Sequence, residues 1–175
     1  MNATMKQINK AEQSCIKYQT EQLRMINCTC FIALYRLGWD ADKIVERFND
    51  ATEIWQECRA KHTSTFAMLE EETGIELALD GEKSYTEFDQ LKFGGKDRTP
   101  SEYIYSLHRR KRWVAPMMLS CMLLALHRVD DWSDEQMGEF IRITDEIRKA
   151  NGEVVQNYVN MMISETGFTP RLWGE

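Results

Sequence analysis

The sequence predicts an all-α protein, a pseudo-symmetric helical bundle built from an internal duplication, with its two halves joined by a short irregular linker. Three observations carry that reading. Residues 25–75 are played again as 117–168, apolar residues in both stretches recur at helical spacing, and turn chemistry concentrates between the copies. In the first copy Ala33-Leu34-Tyr35-Arg36 precedes a turn at Gly38-Trp39-Asp40 and a stop at Glu72-Thr73-Gly74-Ile75. The second copy has Ala125-Leu126-His127-Arg128, a turn at Asp130-Asp131-Trp132 and a stop at Glu165-Thr166-Gly167-Phe168. Ala33 and Ala125 differ by 92 positions, Trp39 and Trp132 by 93. One residue inserted in the second turn accounts for the change, and a surface turn tolerates an insertion. The expected organisation is a first helical repeat over 1–80, a linker over 81–98 and a second helical repeat over 99–175, the halves packed as one unit.

Taken in order, residues 5–37 hold few helix breakers and carry Ile8, Ile16, Leu23, Ile26, Cys30, Ala33, Leu34 and Leu37 on a mostly helical stripe. The spacing predicts one long helix, or two sharing an axis. Its surface is polar up to about Glu21 and nearly all apolar afterwards, so the second half belongs in the core. Gly38 suits a helix C-terminus, and Asp40 or Asp42 can cap the next helix by accepting from its free N–H groups. That helix runs to about Arg59, with Ile44, Phe48, Ala51 and Trp55 on one face, and a third passes through Phe66 and Leu69 to Gly74. Asp80-Gly81 and Gly94-Gly95 mark the linker, which has room for a short hairpin over 84–93. Thr99-Pro100-Ser101-Glu102 starts a helix: Thr99 caps, Pro100 fits a first turn that needs no N–H, and Glu102 meets the positive end of the dipole. Pro116 forces a kink or break before the second copy. A tail over 169–175 follows, with Leu172 and Trp173 expected to tuck onto the body. Each copy's first helix is apolar on more than one face, so the copies bury that surface most economically against each other.

A chain of 175 residues, 43% hydrophobic and 29% charged, has enough apolar material for a buried core without help. Charge is uneven along it. Residues 1–80 hold 9 basic and 13 acidic side chains, 81–115 hold 8 and 5, and 116–175 hold 5 and 10, so two acidic lobes flank a basic centre. Cys15, Cys28, Cys30, Cys58 and Cys121, an odd set, do not read as a secreted disulfide framework, and no signal peptide opens the sequence. A reduced, cytoplasmic protein is expected. The longest apolar run, 114–126, is too short to span a bilayer, and no membrane association is expected.

The densest charge is His108-Arg109-Arg110-Lys111-Arg112-Trp113. Four consecutive cations point nearly all round a helix, so some face away from any core, and Lys92, Lys96 and Arg98 can extend the patch. Such a patch contacts phosphates or an acidic protein face, with Trp113 and Tyr105 offering stacking area. The bland alternative is a solvated helix that offsets the acidic lobes. Glu70-Glu71-Glu72 crowds negative charge at a helix C-terminus against the dipole. Since the second copy has only Glu165 there, the cluster is not demanded by the fold and is a candidate acidic partner surface; a solvated helix end is the competing explanation.

For metal chemistry, Cys28, Cys30, Cys58 and His62 are the only set worth weighing. Cys58 and His62 share a helix face, but Cys28 and Cys30 are two apart in one helix and point to different sides, which is poor for a tetrahedral site. Buried thiols are the simpler reading, and no metal or other cofactor is expected. His127 occupies the place of Tyr35 and suits packing or a hydrogen bond better than acid–base work. Phe93-Gly94-Gly95-Lys96-Asp97 is not a phosphate loop, because the first glycine is missing and Asp97 stands where Ser or Thr would meet magnesium. With no metalloprotease helix and no nucleophile elbow, an enzyme, and with it a small-molecule substrate, is not expected. Trp39 and Trp132, repeated at a turn, read as plugs that set a helix angle rather than as partner anchors.

The repeated unit, Ala-Leu-Tyr/His-Arg, a Trp turn, an aliphatic and aromatic helix and then Glu-Thr-Gly-Ile/Phe, resembles small helical proteins of phages and mobile elements of Gram-positive bacteria. The match covers 28–75 and 121–168. A small, acidic, helical protein of that kind is similar to the type II anti-CRISPRs, and the resemblance implies a non-enzymatic inhibitor acting in the bacterial cytoplasm on Cas9 with its guide RNA. The class has no common motif, so it implies no site residue. Acidic lobes in a channel made for nucleic acid, and a basic centre on phosphates or an acidic face, are the mechanism expected. A nucleic-acid-binding accessory or regulatory protein of a mobile element, using the basic centre directly on DNA, is the alternative.

Overall fold

A computed structural model describes residues 3–77, 99–110 and 112–169. The linker with its possible hairpin, Lys92, Lys96 and Arg98, and the Leu172–Trp173 tail lie outside the described residues. Those described are helical, with no strand among them. Helix α1 (Ala3–Arg36) is the expected long helix, unbroken. Asp40 caps α2 (Ala41–Lys61), its carboxylate accepting from Lys43 N–H at 2.8 Å. Ser64 caps α3 (Thr65–Thr73). Helix α4 (Pro100–Arg110) opens on a reciprocal box in which Glu102 N–H donates to Thr99 Oγ1 at 3.3 Å and Thr99 N–H to Glu102 Oε2 at 2.8 Å. The break expected of Pro116 falls just ahead of it, so Pro116 sits in the first turn of α5 (Val114–Asp130), where its missing N–H is harmless. Helices α6 (Asp134–Asn151) and α7 (Val155–Thr166) complete the chain, α6 starting on a Ser133–Gln136 box.

The two stops are built alike. Gly74 and Gly167 take φ of +71° and +68°, where a side chain is disfavoured, and their N–H groups close on Glu70 and Ile163 carbonyls at 2.8 and 3.0 Å. Before each, a threonine hydroxyl donates to the carbonyl four residues back and accepts the N–H two residues on: Thr73 from Ile75 at 3.1 Å, Thr166 from Phe168 at 3.0 Å. At the second turn Asp131 takes the left-handed conformation, φ +51°, that Gly38 takes in the first.

Every residue of 25–34 in α1 and of 119–126 in α5 is buried. A helix apolar all round must be covered on every side. The two stretches pack on each other, and the remaining faces are covered crosswise: α2 and α3 lie on α5, whereas α6 and α7 lie on α1. Each half therefore covers the first helix of the other far more than its own. Phe31 of α1 stacks on Phe168 beyond α7 with ring centroids 4.8 Å apart. Trp39 and Trp132 meet edge to face at 5.6 Å and 88°, and Trp132 in turn meets Phe140. The repeated tryptophans are packing residues, and the joint they plug lies between the halves. Alongside the polar half of α1, Tyr103 of α4 donates to Glu12 at 2.7 Å and the Cys15 thiol to the Leu107 carbonyl at 3.4 Å.

Candidate functional site

A cleft of about 1000 Å³ opens between the middle of α1, the start of α5 and the helices α6 and α7. Its apolar lining comes from the half-buried Ile75, Ala115 and Ile141, in front of the buried Met25, Ile26 and Leu119. Its rim is charged. Arg112, exposed in the short turn between α4 and α5, faces the same space as Arg148 and Lys149 near the end of α6, with Asp145 and Glu153 beside them. Arg148 reaches Asp145 only at 3.9 Å, both more than half exposed, an ion pair worth a few tenths of a kcal/mol, about 0.2–1 at most. Among the described residues these rim cations meet no stronger partner, so the rim suits an anionic group and the lining beneath it an apolar one.

Of the predicted basic residues, Arg109 and Arg110 are the last two of α4, and Lys111 lies outside the described residues. Among the described side chains of the run, Arg112 is the one that lines the cleft. Trp113 does not offer stacking area: it is 6% exposed, packed edge-on against Phe66 of α3 with centroids 5.8 Å apart. A tryptophan next to four cations reads as surface, but the ring turns inward against Phe66 of α3. Tyr105, at 65% exposure, remains open. The acidic triplet is divided. Glu70 and Glu71 are exposed, while Glu72 is gripped by Arg128, whose Nε donates to Glu72 Oε2 at 2.8 Å and Nη1 to Glu57 at 2.9 Å. Those bonds hold the Glu72 carboxyl below the usual carboxylate range against the opposite push of burial. Glu57 is held low by Lys61 first and Arg128 second.

Residues that resemble chemical machinery are committed to packing. Burial pushes the Cys28 thiol up to about 11 and the Cys30 and Cys121 thiols to about 12, so none supplies thiolate at neutral pH. Cys58 donates to Met68 Sδ at 3.7 Å, whereas His62 is the exposed, left-handed cap of α2, φ +53°. Among the described residues no histidine, cysteine or carboxylate group gathers as a metal site. His127 Nδ1 lies 3.5 Å from the Trp132 carbonyl. Tyr158, at the cleft wall, donates to Gly152 O at 2.6 Å, and burial raises its phenol above the ordinary value.

The interaction that sequence reasoning missed is the mate of the Arg128–Glu72 grip. Arg36 donates through Nε and Nη2 to Glu165 at 2.9 and 2.6 Å. The available signal was that both the arginine and the glutamate recur in each copy. A separate, one-sided cluster ties α2 to the second turn: the buried Arg47 lies 2.7 Å from Asp130 at an angle short of a hydrogen bond, donates to it at 3.3 Å through Nη2, and pairs with Asp50, while Lys43 covers the Trp39 ring at 3.7 Å. Among the described residues no helix is long and apolar enough to cross a membrane. Comparison with protein-family models, curated proteins and solved structures finds no match.

Proposed function

We propose that the chain works by binding rather than by catalysis, as an inhibitor of the anti-CRISPR kind that acts in the bacterial cytoplasm on a nucleoprotein such as Cas9 with its guide RNA. The observation that carries the binding part is the cleft, where Arg112, Lys149 and the weakly paired Arg148 stand on the rim of a partly apolar lining, next to the run that contains Arg109 and Arg110. That surface suits a partner presenting phosphates or carboxylates beside apolar groups. The exposed Glu70 and Glu71 offer charge of the other sign at the end of α3. The Cas9 assignment rests on the likeness of the repeated unit to small phage proteins. Support for a non-enzymatic role comes from the buried thiols, which burial keeps protonated, and from Tyr158, whose hydroxyl is taken up by the Gly152 carbonyl.

The test is direct: purified protein is added to Cas9 loaded with guide RNA, and target cleavage is followed together with co-elution on gel filtration at moderate salt. Inhibition with a stable complex is expected. Full cleavage at excess protein, with no co-elution, rejects the Cas9 reading. The exposed Arg112 and Tyr105 favour one second reading, direct binding of DNA by a mobile-element accessory protein; affinity for free DNA that falls steeply with salt, in the absence of any protein partner, selects it.

A further inference from the structure

The grips Arg36–Glu165 and Arg128–Glu72 are one interaction written twice. Residue 36 of the first half meets 165 of the second, and residue 128 of the second meets 72 of the first, with the same offsets, 92 at arginine and 93 at glutamate, that relate the two copies. That is the rule of a two-fold interface, in which i meets j′ and j meets i′. Each half carries both members of the pair and uses only the other half's. The same crosswise rule governs sulfur, with Arg36 Nη2 at 4.0 Å from Met161 and Arg128 Nη2 at 3.0 Å from Met68, and it governs whole helices, since α6 and α7 cover α1 while α2 and α3 cover α5.

From this we propose that the joint between the halves is an interaction surface for a second copy of this chain, the 99–169 half of one molecule docking on the 3–77 half of another and reciprocally. The product is an exchanged dimer of two bodies, each with the packing of the monomer. Complementarity fixes the occupant. The surface left by removing one half is shaped for that half, from the Phe31 stack on Phe168 to the Trp39 edge on Trp132. It discriminates between halves as well: Arg47 and Lys43 need the carboxylate of Asp130, and the matching place in the first turn holds Leu37 and Gly38. A 3–77 half therefore selects a 99–169 half over another of its own kind. The energy of the joint is the same within one molecule and between two, so the connection through 78–98 and the protein concentration decide between them.

The experiment uses two full-length variants of unchanged net charge. One carries Arg36→Glu with Glu72→Arg, the other Arg128→Glu with Glu165→Arg. Each alone sets like charges against each other at both grips, whereas the exchanged heterodimer restores all four pairs, two of them native and two reversed. The variants, with different tags, are unfolded, mixed in equal amounts and refolded. A folded 1:1 species of two chains is expected by light scattering and native mass spectrometry, with a denaturation midpoint above that of either variant. The same mixture made without unfolding should contain none of it. If the co-refolded mixture holds only what the separate variants hold, the proposal is overturned, and this remains so if either variant fails to fold alone, because the mixture must then rescue it.

Discussion

Arg128 and Glu72, 56 positions apart, are joined across the two halves by a two-pronged guanidinium–carboxylate interaction, Nε to Oε2 at 2.8 Å, with each side chain about one-third exposed. Such a fork fixes both planes at once, which separates it from an ordinary surface pair. Arg128→Ala also takes one of two cations from Glu57, which keeps Lys61, so a loss of about 1 kcal/mol is expected from urea unfolding. In a double-mutant cycle with Glu72→Ala the coupling should be about 0.5–1 kcal/mol. Additive effects would mean that this pair contributes nothing to holding the halves together.

The same pair sets a pH dependence. Hydrogen bonds from Arg128 depress the Glu72 carboxyl in the folded state, so its contribution is present above the unfolded-state carboxylate pKa and is lost as pH falls through the lower folded value. Stability should thus decline on acidification below the ordinary carboxylate range. In the Arg128→Ala variant that decline should flatten, and the Glu72 titration followed by carboxyl NMR should move up. An unmoved Glu72 titration would remove Arg128 as the cause.

A larger effect is expected at the one-sided cluster. Arg47 and Asp130 have side chains 6% and 12% exposed, and removing one partner leaves the other charge buried without its mate. Asp130→Ala should cost about 3 kcal/mol, more than either grip. Because Asp50 also meets Arg47, a loss below that of Arg128→Ala would show that Asp50 and water take over.

Much of the local architecture was legible in the sequence, and what connects it was not. Asp40, Thr99, Gly74 and Gly167 act through backbone geometry within four residues, so their roles could be read from spacing. The crosswise cover of α1 and α5 could not. Residues 25–34 of α1 and 119–126 of α5 are both buried on every side, and an amphipathic α2 fits either, so periodicity carries no information about which it chooses. Trp113 turned inward for a related reason: its partner Phe66 is distant in sequence. Of the cleft, the sequence placed Arg112, but Arg148 and Lys149 join it only because α6 packs on α1.

Glycine substitutions separate backbone cost from packing. A Cβ at Gly74 or Gly138 would meet nothing within 4 Å, so sterics with neighbours do not distinguish them. Gly74 sits at φ +71° and Gly138 inside α6. Gly74→Ala should destabilise by about 1 kcal/mol, and Gly138→Ala should stabilise by about 0.5–1 kcal/mol. Equal effects in thermal unfolding would mean that the Thr-Gly stop does not need its left-handed residue.

The basic run is the remaining point at which sequence and structure meet on function. Arg109, Arg110, Lys111 and Arg112 concentrate positive charge between two acidic lobes, and the last of them stands exposed on the cleft rim. Replacing all four by Gln keeps helix propensity nearly constant, so stability should stay within about 0.5 kcal/mol of the parent. If the run meets phosphates of a guide RNA or of DNA, affinity should fall and the dependence of log affinity on log salt should flatten by nearly one unit for each phosphate that is no longer neutralised. Adding Arg148→Gln and Lys149→Gln should weaken binding further only if the cleft itself is the binding surface, since those two share its rim with Arg112. A folded variant with the affinity and salt slope of the parent would remove the basic run from the interface, and the exposed Glu70 and Glu71 would then be the surface to substitute next.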